Sequence, residues 1–93
     1  MDRYKEIEAF VQVMEHGSLA AAALHAGITP VMMGRRIDAL EKRLGTLLIH
    51  RSTRRLALTE QGASFLDECR ALLAQWAQAE ATVSAQRHSA SGH

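Results

Sequence analysis

The run from Thr29 to Gly45 is punctuated as a single helix, and its ends and faces restrict what the neighbouring segments can be. Thr29 suits the cap position, because its hydroxyl can accept a bond from an orphan amide of the first turn. Pro30 falls at the first helical position, where its missing N–H costs nothing. Gly45 supplies the left-handed residue on which helices commonly stop. Met33, Ile37, Leu40 and Leu44 recur at steps of four, three and four and form one apolar stripe. Val31, Arg35, Asp38 and Lys42 fall about 180° away at 100° per residue. A short helix with a buried stripe and a basic outer face fits a DNA groove. A plain solvated face is the competing reading, and charge alone does not separate the two.

The segments before it decide part of the question. Residues 3–15 place Ile7, Phe10, Val11 and Met14 at helical spacing, with Glu6, Glu8, Gln12 and Glu15 largely opposite, which predicts an amphipathic helix. His16-Gly17 ends it and Ser18 caps a shorter, alanine-rich helix from Leu19 to His25. Those alanines allow close approach by the next helix. Ala26-Gly27-Ile28 then forms a tight turn, with Ile28 directed back into the core. Helix, glycine-containing turn, helix is the arrangement whose second helix enters the major groove.

After Gly45 the period changes. Leu47–His50 and Arg55–Leu58 are short apolar runs separated by Arg51-Ser52-Thr53-Arg54, predicting a β-hairpin with arginines at or beside its tip. As a wing, such a hairpin suits a narrow minor groove, whose negative potential attracts guanidinium groups; an ordinary solvated hairpin is the alternative. Thr59 caps a last helix, with Glu60 in its positive first turn, running to about Gln86. Phe65, Cys69, Leu72, Trp76, Ala79 and Val83 step by four, three, four, three and four, a heptad-like seam. So small a domain cannot cover the whole seam, which predicts pairing with the same helix of a second chain. The polar, aperiodic stretch 87–93 predicts a frayed tail. The expected organisation is a DNA-binding unit over 1–58, a linker and dimerisation helix over 59–86, and the tail.

Composition adds exclusions. A net charge of +1 hides an uneven distribution: Arg35 to Arg55 holds seven Arg or Lys against two acids, a basic middle third that calls for an anionic partner. The single Cys69 excludes an internal disulfide and has no partner cysteine for a metal site. No apolar run approaches the roughly 20 residues that cross a bilayer, and no signal-peptide pattern opens the chain, so a cytoplasmic protein with no membrane partner is expected. His16, His25 and His50 are scattered over three elements without ligand spacing, and Ser18 and Ser64 have no identifiable base, so neither a metal, a cofactor nor catalysis is expected. His25 and His50 read as surface or hydrogen-bonded histidines.

Four stretches taken together carry a family resemblance: Phe10-Val11; Gly17-Ser18-Leu19-Ala20-Ala21-Ala22-Ala23-Leu24; Arg35-Arg36-Ile37-Asp38-Ala39-Leu40-Glu41-Lys42-Arg43-Leu44-Gly45; and His50-Arg51-Ser52-Thr53-Arg54-Arg55-Leu56-Ala57-Leu58-Thr59-Glu60-Gln61-Gly62. The chain resembles, over about residues 5 to 86, the N-terminal domain of LysR-type transcriptional regulators. That resemblance implies a mainly α fold, a winged helix-turn-helix of three helices and a two-stranded hairpin, followed by a long dimerising linker helix. Full-length members continue into a periplasmic-binding-protein-like effector domain, so the chain is expected to be either an excised fragment or a shortened relative, with no small-molecule effector of its own. The family commonly has Ser-Ala-Val-Ser-Arg where this chain has Val31-Met32-Met33-Gly34-Arg35. Gly34 lacks a hydroxyl that would contact phosphate or base and costs about 1 kcal/mol of helix propensity. Val31 and Met32 offer apolar contact to a thymine methyl.

The expected function is sequence-specific binding of a homodimer to double-stranded DNA at a promoter or operator. Arg35 is the first candidate for a base contact, since a guanidinium can bond guanine O6 and N7 together. Thr29, Pro30, Val31, Met32 and Gly34 line the same leading end. Arg36 lies about 100° off the outward face and is assigned to a phosphate or an intramolecular partner. Arg51 is expected on a phosphate, and Arg54, with Arg55 second, in the minor groove. Ser18 would offer helix N-terminal amides to a phosphate, or serve simply as a cap. The competing class is a protein-interaction module that pairs with a full-length regulator through the last helix, which the basic wing argues against as a sole role.

Overall fold

The computed structural model describes residues 2–51 and 56–91, the last four of these by backbone alone. Helix α1 (Arg3–His16) begins on a cap that the sequence reading did not assign: Asp2 Oδ1 accepts from the amides of Tyr4 at 2.9 Å and Lys5 at 3.4 Å. It stops at Gly17. Helix α2 (Leu19–Ala26) is capped by Ser18 Oγ, which accepts from the Ala21 amide at 3.0 Å. Helix α3 (Pro30–Leu44) is capped by Thr29 Oγ1, which accepts from Met32 N at 3.1 Å, and Gly45 closes it. All three expected starts and stops hold to within a residue.

The turn between α2 and α3 demands its glycine. Gly27 has φ of +71°, a conformation that a side chain disfavours by roughly 1–2 kcal/mol. In that conformation the Ile28 amide donates back to Ala23 O at 3.0 Å, closing the helix end. Ala22 and Ala23 are fully buried. With no longer side chain in the way, α2 settles into the angle between α1 and α3.

The core is assembled from Phe10 and Val13 of α1, Met33, Ile37 and Leu40 of α3, and Leu48, Ile49, Leu66 and Cys69 beyond them. Phe10 and Phe65 stack with ring centroids 6.0 Å apart. Leu44 departs from its expected place on the buried stripe and is 39% exposed. Two carboxylates assigned by spacing to solvent or left out of the stripe are inside: Glu6 is 3% exposed and Glu41 8%. Each has a partner, as buried charge requires. Arg43 Nη2 donates to Glu6 Oε1 at 2.6 Å, tying α3 to α1.

Strands β1 (Ile49–Arg51) and β2 (Leu56–Leu58) pair antiparallel with Ile49 opposite Leu58, His50 opposite Ala57 and Arg51 opposite Leu56. The first strand thus begins two residues later than the run from Leu47 suggests and carries Arg51 within it, rather than in the turn. Leu47, expected in the strand, is largely exposed. The connecting residues 52–55 lie outside the described residues. Helix α4 (Glu60–Ser91) continues past the end expected at Gln86. Thr59 anchors its start twice: its Oγ1 accepts from Gly62 N at 2.9 Å and donates to Leu47 O at 2.7 Å. Gly62 lies so close to the Leu48 carbonyl that an added Cβ would overlap that oxygen. The hairpin root and the linker helix are therefore packed backbone to backbone.

Only the first turns of α4 belong to the core. Cys69 is fully buried and Phe65 half-buried, so the first two positions of the expected seam serve the chain's own interior. Leu72, Trp76 and Val83 are 56%, 52% and 64% exposed, and Ala79 is exposed between them. Tyr4 of α1 lies against Trp76, ring centroids 4.8 Å apart, and is the last aromatic contact between α4 and the helical body among the described residues.

Candidate nucleic-acid interface

The buried Met33–Ile37–Leu40 stripe holds α3 so that its opposite face is turned outward. At the leading end Val31 is 64% and Met32 45% exposed, and Thr29, Pro30 and Arg35 are exposed beside them. Large apolar side chains left in water next to an arginine are a costly arrangement for a surface without a partner. Arg35 forms no ion pair among the described residues, so its guanidinium is available to a ligand. Arg36 is half-buried and shares a shallow hollow with Asp2, Lys5, Met32 and Arg35. It stands toward the start of α1, off the outward face as its angular position suggested.

Gly34 is half-buried on the side of α3 that faces α2. A Cβ there would meet only Leu19 Cδ1, at an ordinary 3.9 Å. The fold itself does not require this glycine, unlike Gly62. Ser18 is half-buried, and its hydroxyl is occupied as the α2 cap; what it offers outward is the free amides of the first turn.

Arg51 is placed differently from expectation. Its Nη1 lies 2.9 Å from Asp38 Oδ1, and its Nη2 lies 3.7 Å from Glu41 Oε1. The side chain expected on a phosphate braces the hairpin against the last turns of α3 and stays one-third exposed. The reason is Glu41, whose Oε2 accepts from the amides of Leu48 at 2.7 Å and Ile49 at 3.2 Å. That carboxylate pins the chain just before β1 and leaves its other oxygen toward Arg51. Arg54 and Arg55, expected in the minor groove, lie outside the described residues. Sequence reasoning missed Glu41 and Glu6 although a signal existed. Glu41 follows Ile37 by four and Glu6 precedes Phe10 by four, so both stand on apolar stripes where a charge must find a partner.

Among the described residues there is no group of three or more His, Cys, Asp or Glu placed to hold a metal ion, and no helix long and apolar enough to cross a membrane. The one thiol is shielded: burial, with a smaller push from Glu68, raises Cys69 from 9.0 to about 11.

A model of bacterial regulatory helix-turn-helix proteins of the lysR family matches residues 4–63, which spans α1 through the start of α4. The chain belongs to that family. Its LysR-type domain is 39% identical over 83 residues to an HTH-type transcriptional repressor of Pseudomonas aeruginosa, a match covering 89% of this chain and 26% of the relative. It is 38% identical over 76 residues to the HTH-type transcriptional regulator CrgA of Neisseria meningitidis, covering 82% and 25%. The chain thus spans about a quarter of the length of these curated relatives. Among solved structures, the BenM DNA-binding domain in complex with catB site 1 DNA superposes with a TM-score of 0.83 at 32% identity, covering 100% of this chain and 96% of that one. The CbnR DNA-binding domain in its DNA complex gives 0.83 at 31% identity, covering 94% and 99%. The winged helix-turn-helix with a long C-terminal helix is therefore the architecture of a DNA-binding domain of a transcription regulator.

Proposed function

We propose that this LysR-type domain binds double-stranded DNA sequence-specifically as a homodimer, at promoter or operator sites in the cytoplasm, and so regulates transcription. The observation that carries the reading is the leading end of α3, where Val31, Met32 and Arg35, which has no ion pair among the described residues, face outward together. In the major groove Arg35 would bond guanine O6 and N7, and the two apolar chains would meet thymine methyls. Thr29 and Pro30 flank them. Gly34, without a side chain, would let this end of the helix approach the groove floor closely. Arg36 and the first-turn amides of α2 after Ser18 fit phosphates, which fix register without reading sequence. Arg54, with Arg55 second, would enter the minor groove. Arg51, which also braces the hairpin against α3, would contact a phosphate from the side.

The dimer reading rests on Leu72, Trp76, Ala79 and Val83, an apolar seam left in water along α4. In this division residues 1–58 contact DNA and 59–86 pair the two copies. Two copies on a two-fold axis would read an inverted repeat with half-sites spaced by whole helical turns. Selection of bound duplexes from random DNA tests the proposal: a two-fold symmetric motif is expected to enrich. If each dimer neutralises about 8 phosphates, log K falls with log[salt] at a slope near −7. A slope near zero with no enriched motif contradicts it.

A further inference from the structure

His16 and His25 stand nine residues apart on consecutive helices, and the fold brings them ring to ring. Their centroids are 4.6 Å apart and their planes inclined at 34°. Both side chains are exposed, and among the described residues neither imidazole has a hydrogen bond or ion pair. His16 lies in the last turn of α1 and His25 in the last turn of α2. Two helix C-termini therefore converge near the pair, and carbonyl ends favour a cation.

We propose that His16 and His25 form a two-histidine chelate for a first-row transition-metal dication, joining the end of α1 to the end of α2. An imidazole nitrogen binds such an ion at about 2.0–2.1 Å, and the ring centroid lies about 1.1 Å further out. Two imidazoles on one ion then have centroids about 4.5 Å apart at a right angle and about 5.2 Å apart at the tetrahedral angle. The observed 4.6 Å matches the right-angle arrangement, the geometry of Ni²⁺ and Cu²⁺ with nitrogen ligands. The terminal torsion of histidine is soft, so both rings can turn a nitrogen toward a common point without moving either helix. Water completes the coordination shell, since the described residues supply no third His, Cys, Asp or Glu. Bound metal would fix α2 against α1 and stiffen the unit that presents α3.

The test is calorimetric titration of the chelator-stripped chain with Ni²⁺, alongside thermal melts in Ni²⁺ and in Mg²⁺. One Ni²⁺ per chain and a melting midpoint that rises with Ni²⁺ but not Mg²⁺ are expected. His16→Ala and His25→Ala should each weaken binding at least tenfold, because each removes the chelate partner. His25→Gln, which keeps a polar side chain at this exposed position, should do the same while retaining the helical circular dichroism signal. His50→Ala and the double variant His88→Ala/His93→Ala should bind as the parent does. Parent-like affinity in His16→Ala or His25→Ala, or loss of binding in the tail variant, overturns the assignment. The outcome is independent of DNA affinity, so it stands or falls separately from the DNA-binding reading.

Discussion

Glu41→Ala probes the joint between α3 and the wing. In the parent its carboxylate, 8% exposed, accepts from two backbone amides at 2.7 and 3.2 Å and faces Arg51 at 3.7 Å. Alanine leaves both amides without their acceptor. A buried donor left unsatisfied costs about 1–3 kcal/mol, and the longer Ile49 bond takes the lower part of that range. Arg51 adds less than about 1 kcal/mol, because its side chain is one-third exposed and keeps Asp38. The sum is about 3 kcal/mol, in line with breaking one side of a buried ionic contact. For a domain of this size that lowers the melting midpoint by about 12–24 °C. Urea denaturation followed by circular dichroism measures it, with Glu41→Gln as the isosteric control expected to lose less. A double-mutant cycle with Arg51→Ala should return a coupling below about 1 kcal/mol. Loss of under about 1 kcal/mol in Glu41→Ala would mean that the wing root is held by something other than this carboxylate.

Three further outcomes follow from other contacts. Gly62→Ala should destabilise by about 1–3 kcal/mol or more in the same denaturation assay, because the new methyl meets the Leu48 backbone carbonyl, which cannot swing aside as a side chain would. Between pH 9 and 11 the unfolded Cys69 thiol ionises while the folded one stays protonated; the folded state then holds the extra proton, so stability falls as pH rises, by up to about 2–3 kcal/mol, and Cys69→Ala should lack that component. Trp76→Glu should shift the chain from dimer to monomer in sedimentation equilibrium, and an unchanged dimer would move the interface off this seam.

The helix ends were legible because their causes are local. Ser18, Thr29, Thr59, Pro30 and the glycines at 17, 27 and 45 act within four residues of themselves, and the helices start and stop on them. The leading face of α3 was legible for the same reason: a stripe of Met33, Ile37 and Leu40 determines its own opposite side. The placement of Arg51 was not. It depends on where β1 begins, which depends on Glu41 gripping two amides seven and eight residues away in sequence. Periodicity treats Glu6 as polar and therefore outward, whereas its pairing with Arg43 spans 37 residues. The split of the α4 seam also needed the fold, since spacing cannot tell that Cys69 meets the core while Trp76 lies half exposed against Tyr4. The meeting of His16 and His25 likewise comes from how α2 folds back on α1, which no spacing rule contains.

In the proposed mode of binding the outward end of α3 reads bases, with Arg35 as the reading side chain. The most direct measurement compares Arg35→Ala with the parent on a duplex selected from random DNA and on a scrambled duplex of the same length and composition. A loss of about 1–3 kcal/mol on the selected duplex is expected, with a relaxed preference at one base pair and a much smaller loss on the scrambled one. Equal losses on both duplexes would make Arg35 a phosphate contact rather than a base-reading side chain.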